Sequence, residues 1–394
     1  MCLRNLRDVE LDGKRVLMRV DFNVPMDKQG NILDDGKMRG ALPTIEYVLA
    51  HNGKLILMSH LGRPKGKPDP KYSLKGLAPH LKRLLNGAVV SFAEDCVGPE
   101  VEEKVNSMNP GEVLLLENLR FHSGEEENDA DFSRQLASLG DVYINDAFGT
   151  AHRAHSSTVG VADYLPAFAG FLMEAEVTML KSVVESPERP RMAILGGAKV
   201  TDKLGIIENL LEKMDIIVMG GGMANTFLKS QGKNVGKSLF EKDLLIEANR
   251  LLDKAEKKKV RILLPVDVII TGEISADAVA AVVGVDEVPD DMMIIDIGPR
   301  TIEIYREEIN QAKTIIWNGP MGVYEYEQFA RGSKEITRAM ANASAVSVIG
   351  GGDSAVIAHD LMLDDKITHI STGGGATLEF LEGIKLPGVV ACGG

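Results

Sequence analysis

Apolar runs of four to six residues, rich in Val, Ile and Leu, recur along the chain and predict short buried strands. Runs this apolar are typical of parallel sheets, whose strands are covered on both faces. The runs are RVLMRV (15–20), LILM (55–58), VLLL (113–116), VYIN (142–145), MAIL (192–195), IIVM (216–219), ILLP (262–265), TIIW (314–317), VSVI (346–349) and THIS (368–371).

Amphipathic helical patterns lie between these runs, for example at 203–214 and 242–259. Alternation of this kind predicts right-handed βαβ units. The segment 274–310 alternates less cleanly, and we interpret it as an antiparallel excursion. The expected fold class is therefore α/β, with two Rossmann-like lobes, each a parallel sheet flanked by helices.

The length of 394 residues favours two domains. The stretch from Phe171 predicts a helix ended by Pro187 and followed by a short linker to Pro190. We interpret this helix as a hinge that joins a first lobe, 1–170, to a second lobe, 171–384.

Charge and composition narrow the class of partner. Lys and Arg total 44 against 57 Asp and Glu, giving a net charge of −13, so nucleic acid and anionic membranes are poor partner candidates. The N-terminal segment is charged and has no signal-peptide core, and no apolar run approaches the roughly 20 residues of a membrane span. The three cysteines have no metal-ligand spacing, so we expect free thiols in a reducing cytosol.

Basic residues follow the strands of the first half, where an open parallel sheet binds its ligands. Arg63, Arg120 and Arg153 each come shortly after a predicted strand. Each could form a surface salt bridge, but their convergence favours an oxyanion site, because guanidinium groups bind phosphates and carboxylates bidentately. Asp21, Asn23, His60, His152 and His155 occupy similar positions.

Glycine clusters follow the strands of the second half, namely Gly196–Gly197 before Lys199 and the triplets at 220–222, 350–352 and 373–375. One cluster could be a tight turn, but four favour backbone N–H groups that approach nucleotide phosphates at helix N-termini. Asp353 is a candidate Mg²⁺ ligand beside one triplet. The string GKS at 236–238 is not a P-loop, because Gln231 stands where the leading glycine is required.

An oxyanion site in one lobe and a nucleotide site in the other indicate phosphoryl transfer, which depends on positioning and charge neutralisation. No general base emerges, which suits an acceptor that is already ionised, namely a carboxylate. A solute-binding protein, a dinucleotide dehydrogenase and a scaffold are the rival interpretations. A dinucleotide dehydrogenase would require a G-x-G-x-x-G motif after its first strand, and this sequence has none there. A scaffold role would not explain the glycine triplets.

Eight motifs resemble the phosphoglycerate kinase family from end to end, in the family's order. They are RVDFNVP (19–25), SHLGRPKG (59–66), LLLENLRF (114–121), INDAFGTAHRAHSS (144–157), GGAKVTDK (196–203), WNGPMGVYE (317–325), GGGDS (350–354) and STGGGA (371–376). The resemblance implies a cytoplasmic, hinge-bending monomer that uses Mg²⁺ and ATP or ADP to interconvert 3-phosphoglycerate and 1,3-bisphosphoglycerate. It also implies that 385–394 folds back onto the first lobe.

The resemblance further implies roles for individual residues. In the first lobe, phosphoglycerate would be held by Asp21, Asn23, Lys37, His60, Arg63, Arg120 and Arg153. In the second lobe, Lys199, Gly373 and Gly374 would steady the phosphoryl group, with Asp353 on the metal. Nucleotide-binding positions would be Gly197, Lys203, Gly221, Asn318, Pro320, Glu325, Gly351, Gly352, Asp353 and Ser354.

Two positions depart from the family's pattern. Lys37 stands where the family usually has a catalytic Arg, and either Lys37 itself or Arg39 could fill that role. If the segment is extended, residues two apart face the same side, so Arg39 could reach the same region. We favour Lys37, because the following ALPTI keeps the family's register. Ile294 stands where a small residue, often Gly, lines the nucleotide pocket.

Overall fold

The computed structural model describes residues 3–27, 29–185 and 188–393. The chain divides into two compact units, Met1–Val177 with Lys385–Gly394, and Thr178–Ile384. The sequence-based boundary lies at 170/171, whereas the division between the units falls inside one helix, Phe171–Glu185. Pro187, the predicted end of that helix, lies outside the described residues.

The first unit contains a six-stranded parallel sheet with the order β3-β4-β2-β1-β5-β6. Its elements in chain order are β1 (Arg15–Arg19), α1 (Gly36–Ala50), β2 (Lys54–Met58), α2 (Ala78–Leu84), β3 (Val90–Phe92), α3 (Pro99–Ser107), β4 (Val113–Leu115), α4 (Ser123–Glu127), α5 (Ala130–Ser138), β5 (Val142–Asn145), β6 (Ala167–Ala169) and α6 (Phe171–Glu185), the last shared with the second unit.

Alternate residues of this sheet pack into two separate cores. Val16 and Met18 of β1 lie in a core with residues of α1 and α2, whereas Leu17 lies in a second core with residues of α3 and α5. Side chains of a strand alternate between its faces, so an uninterrupted apolar run covers both sides of the sheet. This packing explains why the strands are continuous apolar runs.

The second unit contains a six-stranded parallel sheet, β15-β14-β13-β7-β8-β9, and an antiparallel sheet, β11-β10-β12. Its elements are β7 (Arg191–Leu195), α7 (Leu204–Leu210), β8 (Ile216–Met219), α8 (Gly221–Ser230), α9 (Leu245–Lys258), β9 (Arg261–Leu263), β10 (Asp267–Thr271), β11 (Ala280–Gly284), β12 (Met293–Ile297), α10 (Pro299–Gln311), β13 (Thr314–Asn318), α11 (Arg331–Asn342), β14 (Val346–Gly350), α12 (Gly352–Asp360), β15 (His369–Ile370) and α13 (Gly375–Leu381).

These two parallel sheets with their flanking helices confirm the expected α/β class. The antiparallel excursion is confirmed at β11 and β12, but its predicted end was wrong, because Pro299 begins helix α10. The last helix, α14 (Pro387–Ala391), packs with the first unit, where the Arg4 N–H donates to the Cys392 carbonyl at 2.9 Å. Along the described chain, no helix is long and apolar enough to cross a membrane.

Candidate functional site

A cavity of about 200 Å³ lies at the carboxyl ends of the strands of the first unit. Four loops and the start of α1 contribute side chains to it, and four of these side chains are basic Lys or Arg residues. Sequence reasoning missed Gly62, Gly149 and Thr150, which complete the lining and carry no charge that would have marked them. The predicted residues that line the cavity are Asp21, Asn23, Lys37, His60, Arg63, Arg120 and Arg153.

The loops after β1, β2 and β4 are joined at Gly62. Its N–H donates to Asn23 Oδ1 at 2.9 Å, and its carbonyl accepts from Arg120 Nη1 at 2.8 Å. Gly62 has φ +60°, and a Cβ at this position would lie 2.4 Å from the ring of Tyr72. A side chain here would be strained and would displace the ring, so glycine keeps the three loops together.

Arg120 has buried N–H groups that form no hydrogen bond with any of the described residues. Only 3 % of the residue is exposed, yet Nε and Nη2 have no hydrogen-bond partner in the described part of the chain. Nε lies 3.2 Å from Glu126 Oε1 without the alignment of a hydrogen bond. Burial also lowers the pKa of Arg120. Because unsatisfied buried donors are costly, this guanidinium is suited to an oxyanion.

The side chains of Lys37 and Arg39 lie in different environments. Lys37 Nζ lies 2.8 Å from Asp21 Oδ2 at the cavity, whereas exposed Arg39 pairs with Asp35 at 2.7 Å and does not line the cavity. The assumption of an extended segment was wrong, because both residues lie in helix α1. Residues two apart on a helix point roughly 200° apart, so they do not share a face.

His60 is 4 % exposed and lines the cavity. Burial lowers its pKa well below the usual range, and the charges of Arg19, Arg120, Lys37 and Arg153 act in the same direction. The imidazole is therefore neutral at pH 7. A neutral ring has one donor nitrogen and one acceptor nitrogen. The partner of one nitrogen therefore determines whether the other donates a hydrogen bond to a ligand or accepts one.

A second cavity, of about 520 Å³, lies within the second unit. Ile294 lines it, as predicted for that departure from the family's pattern, and the Ile294 N–H donates to Ser238 Oγ at 2.7 Å. Much of the lining is apolar, which suits a planar ligand such as a nucleobase. The predicted nucleotide-binding residues that line the cavity are Gly197, Gly221, Pro320, Glu325 and Asp353.

Sequence reasoning missed several residues of this cavity. Lys237 lies in the string that fails as a P-loop, yet it lines the cavity, as do Leu239, Met321 and Val323. Apolar positions in loops look the same in sequence whether they face a core or a ligand. Gly221 has φ +65°, and a Cβ there would lie 2.6 Å from the Gly197 carbonyl oxygen, so the two glycine clusters are in close contact.

The glycines of the last two triplets, 350–352 and 373–375, lie at helix N-termini. Gly351 precedes α12, Gly374 precedes α13, and the Gly373 N–H donates to Ser371 Oγ at 3.2 Å. Gly352 is the first residue of α12, and Ser354 Oγ accepts from the Gly319 N–H at 2.9 Å. These residues do not line the second cavity. Helix N-termini of this kind attract anions.

Lys203 and Lys199 lie in contrasting environments near the end of β7. Lys203 is buried, its Nζ donates to the Gly196 carbonyl and to the Asn318 carbonyl at 2.8 Å, and burial lowers its pKa to about 8. Lys199 is exposed. The Asn318 side chain donates to the Gly350 carbonyl at 2.6 Å, which joins the ends of β13 and β14.

Asp353 is exposed, lines the second cavity and accepts a hydrogen bond from the Tyr324 hydroxyl at 3.1 Å on Oδ1. Magnesium sites commonly combine one or two carboxylates with nucleotide phosphates and water. One accessible carboxylate in the first turn of α12 therefore fits such an ion.

Known proteins match this chain over nearly its whole length. A family model described as phosphoglycerate kinase matches residues 6–384. The chain is 55 % identical over 391 residues to a phosphoglycerate kinase of Moorella thermoacetica, and the match covers 99 % of each of the two proteins. It is 54 % identical over 392 residues to a phosphoglycerate kinase of Chloroflexus aggregans, with 98 % of each protein covered.

Solved structures are similar too. The phosphoglycerate kinase of Coxiella burnetii matches with a TM-score of 0.92 at 41 % identity, covering 100 % of this chain and 99 % of that one. The enzyme of Pyrococcus horikoshii matches with a TM-score of 0.82 at 35 % identity, covering 99 % of this chain and 98 % of that one.

Proposed function

The chain belongs to the phosphoglycerate kinase family, and from this premise we propose that its first unit binds 3-phosphoglycerate and its second unit binds Mg-nucleotide. The reaction transfers a phosphoryl group between ATP and the carboxylate of 3-phosphoglycerate. The acceptor carboxylate is ionised at neutral pH, so no general base is required. The remaining tasks are to position the two substrates and to neutralise charge.

The basic cavity is the proposed phosphoglycerate site, and buried Arg120 is the observation that carries this proposal. Its Nε and Nη2 have no hydrogen-bond partner among the described residues, and an anionic substrate would supply one to each. Asp21, Asn23, His60, Arg63 and Arg153 surround the same small volume. A cavity of about 200 Å³ with this lining suits a small polyanion.

Lys37 is the proposed substitute for the family's catalytic Arg. It lines the basic cavity, and its ammonium can neutralise negative charge on the transferring group. Its ion pair with Asp21 holds the side chain at the cavity while no anion competes for it. Lys199, Gly373 and Gly374 are proposed to contact the same group from the second unit, with an ammonium and backbone N–H groups.

The second cavity is the proposed site of the nucleoside, with Glu325 near the ribose and Asn318 and Pro320 beside the nucleotide. Gly197, Gly221, Gly351, Gly352 and Ser354 would border the phosphates, and Lys203 would contribute charge. Asp353 would hold Mg²⁺, which neutralises nucleotide phosphate charge when bound. The helix N-termini after β8 and β14 support this assignment.

We further propose that the enzyme is a cytoplasmic monomer that closes when both ligands are bound. Each proposed site is built from residues of one unit, while transfer requires the reacting atoms to approach to about 3–3.5 Å. Exclusion of water during closure would also prevent loss of the phosphoryl group to hydrolysis.

The phosphoglycerate site is tested by calorimetric titration of the full-length Arg120→Met variant with 3-phosphoglycerate. Loss of charge-assisted hydrogen bonds should weaken binding by roughly 10–100-fold, while Mg-ADP binding should stay unchanged. Arg134→Met, at an exposed arginine of the same unit, is the matched control. Unchanged phosphoglycerate affinity in Arg120→Met would remove this site from the proposal.

A further inference from the structure

Arg19 is a buried charge at the carboxyl end of β1 that the proposed mechanism does not use. It is 1 % exposed and does not line the basic cavity. Its guanidinium is hydrogen-bonded in three directions. Nε donates to Ser157 Oγ at 2.8 Å, Nη1 donates to the Val20 carbonyl, and Nη2 lies 3.0 Å from His60 Nδ1.

Glu125 carries the charge that compensates Arg19, and Ser157 forms hydrogen bonds to both residues. Glu125 is fully buried and accepts from Ser157 Oγ at 2.6 Å and from the Ser157 N–H at 3.0 Å. Burial raises the pKa of Glu125, and the charge of Arg19 opposes that increase. A buried guanidinium without such compensation would be strongly destabilising. The Arg19 guanidinium is therefore held in one position.

The contact between Arg19 and His60 has a defined direction. A guanidinium has five N–H donors and no acceptor, so His60 Nδ1 must accept. The proton of the neutral ring is then on Nε2. The opposite tautomer would aim Nδ1–H at the guanidinium and would place the Nε2 lone pair, which repels anions, on the other side of the ring.

We propose that Arg19 is a positioning residue that holds His60 as the Nε2–H tautomer, so that the ring donates a hydrogen bond to the phosphoglycerate anion in the basic cavity. This inference rests on the proposed phosphoglycerate site. Asp21 provides the competing arrangement, because its Oδ1 lies 4.0 Å from His60 Nδ1 and would attract an Nδ1–H if Arg19 were absent. Arg19 thus acts through His60 and not through its own contact with substrate.

The tautomer can be measured directly in the wild-type chain, without any activity. Long-range ¹H–¹⁵N correlation spectra of the full-length protein at pH 7 distinguish protonated from unprotonated ring nitrogens. His60 is assigned among the 8 histidines by the signals that disappear in His60→Gln. We expect Nε2 to be protonated and Nδ1 to be a bare acceptor. A protonated Nδ1, in either the other tautomer or an imidazolium, would overturn the inference.

Variants test whether the tautomer matters for binding. Arg19→Met should raise KM for 3-phosphoglycerate by roughly 10–100-fold, the range for a lost hydrogen bond to a charged group, and should leave KM for Mg-ATP unchanged. The same variant should shift the His60 signals away from the pure Nε2–H pattern. Arg15→Met is the matched control on the same strand, because Arg15 pairs with Asp141 away from the cavity.

A double variant separates positioning from general damage. If Arg19 acts through His60, Arg19→Met should add little to the effect of His60→Gln on KM for phosphoglycerate; full additivity would overturn the inference. If Arg19→Met does not fold, Ser157→Ala removes a single contact of the guanidinium and should move the same His60 signals. A wild-type chain without phosphoglycerate binding would refute the proposed function, whereas normal turnover with the wrong tautomer would refute only the role of Arg19.

Discussion

Lys37 Nζ and Asp21 Oδ2 are 2.8 Å apart, and this ion pair connects helix α1 to the loop after β1 at the rim of the basic cavity. The pair supports the proposal that Lys37 takes the place of the arginine that the family resemblance implies at this position. Asp21 gives the flexible lysine side chain a fixed starting position, which an arginine would obtain from its own planar fork.

Replacing Lys37 by alanine should lower kcat by about 10²–10³-fold, the usual loss when a charge that stabilises the transferring group is removed. Lys37→Arg should keep or increase activity. Arg39→Ala is the control and should leave kcat nearly unchanged, because Arg39 pairs with Asp35 outside the cavity. Steady-state assays of the three variants decide the matter. A nearly neutral Lys37→Ala together with a crippled Arg39→Ala would transfer the role to Arg39.

The apolar runs predicted the strands well, because a parallel sheet buried on both faces imposes an unambiguous composition. Residues that follow the predicted strands, such as Asp21 and Arg153, line one cavity, because neighbouring parallel strands end at the same edge of the sheet. Short strands such as β3 and β6, three residues each, were not predicted. Length alone is not the reason, because β4 and β9 are equally short and overlap predicted runs. Strand β3 has the exposed Ser91 at its centre and β6 consists of two alanines around Phe168, so neither is a run rich in Val, Ile and Leu.

Other features depend on tertiary contacts that a sequence does not reveal. Helix α1 was not predicted, because Pro43 and two glycines are unusual within a helix. Its buried residues nevertheless follow a helical period that could have indicated it, namely Met38, Ala41, Ile45 and Val48. Arg19 resembles any polar residue at a strand end, and its burial follows from Glu125 and Ser157, which are distant in sequence.

Asp353→Ala should weaken Mg-ADP binding and spare 3-phosphoglycerate binding. Its carboxylate is the proposed magnesium ligand, and the loss should be at least the roughly 10–100-fold that follows removal of an outer-shell partner at a metal site. Asp360→Ala, at the other end of α12, is the matched control. Calorimetric titration with each ligand measures both affinities. Equal losses for the two ligands would contradict the division of roles between the units.

Closure should appear as a decrease in the radius of gyration that requires both ligands. Small-angle scattering of the chain with no ligand, with 3-phosphoglycerate, with Mg-ADP and with both compares the four states. The ternary state should have the smallest radius, because the two substrates must approach each other for transfer. A radius that is the same in all four states would count against closure.

Stability should decrease between about pH 4 and pH 7 because of Asp146. Burial raises the pKa of this carboxyl to about 7, although Oδ1 accepts N–H groups of Leu172 and Met173 at the start of α6. In that range the unfolded chain loses the proton while the folded chain keeps it, so stability falls as pH rises through the folded pKa. The full shift corresponds to an upper figure of roughly 4 kcal/mol.

Asp146→Asn keeps an acceptor for the helix and removes the titration. Urea unfolding at pH 5 and pH 8 should show that the variant gains stability relative to wild type as pH rises. Asp163→Asn, at an exposed aspartate of the same unit, should show no such trend. A constant difference between Asp146→Asn and wild type at both pH values would refute the assignment.

The most direct measurement of the central claim is a coupled assay of the purified, folded chain with 3-phosphoglycerate, ATP and Mg²⁺, run in both directions. We predict turnover that requires all three components and is abolished by chelation of the metal. Folded protein that turns over in neither direction would contradict the assignment of phosphoryl transfer to this chain.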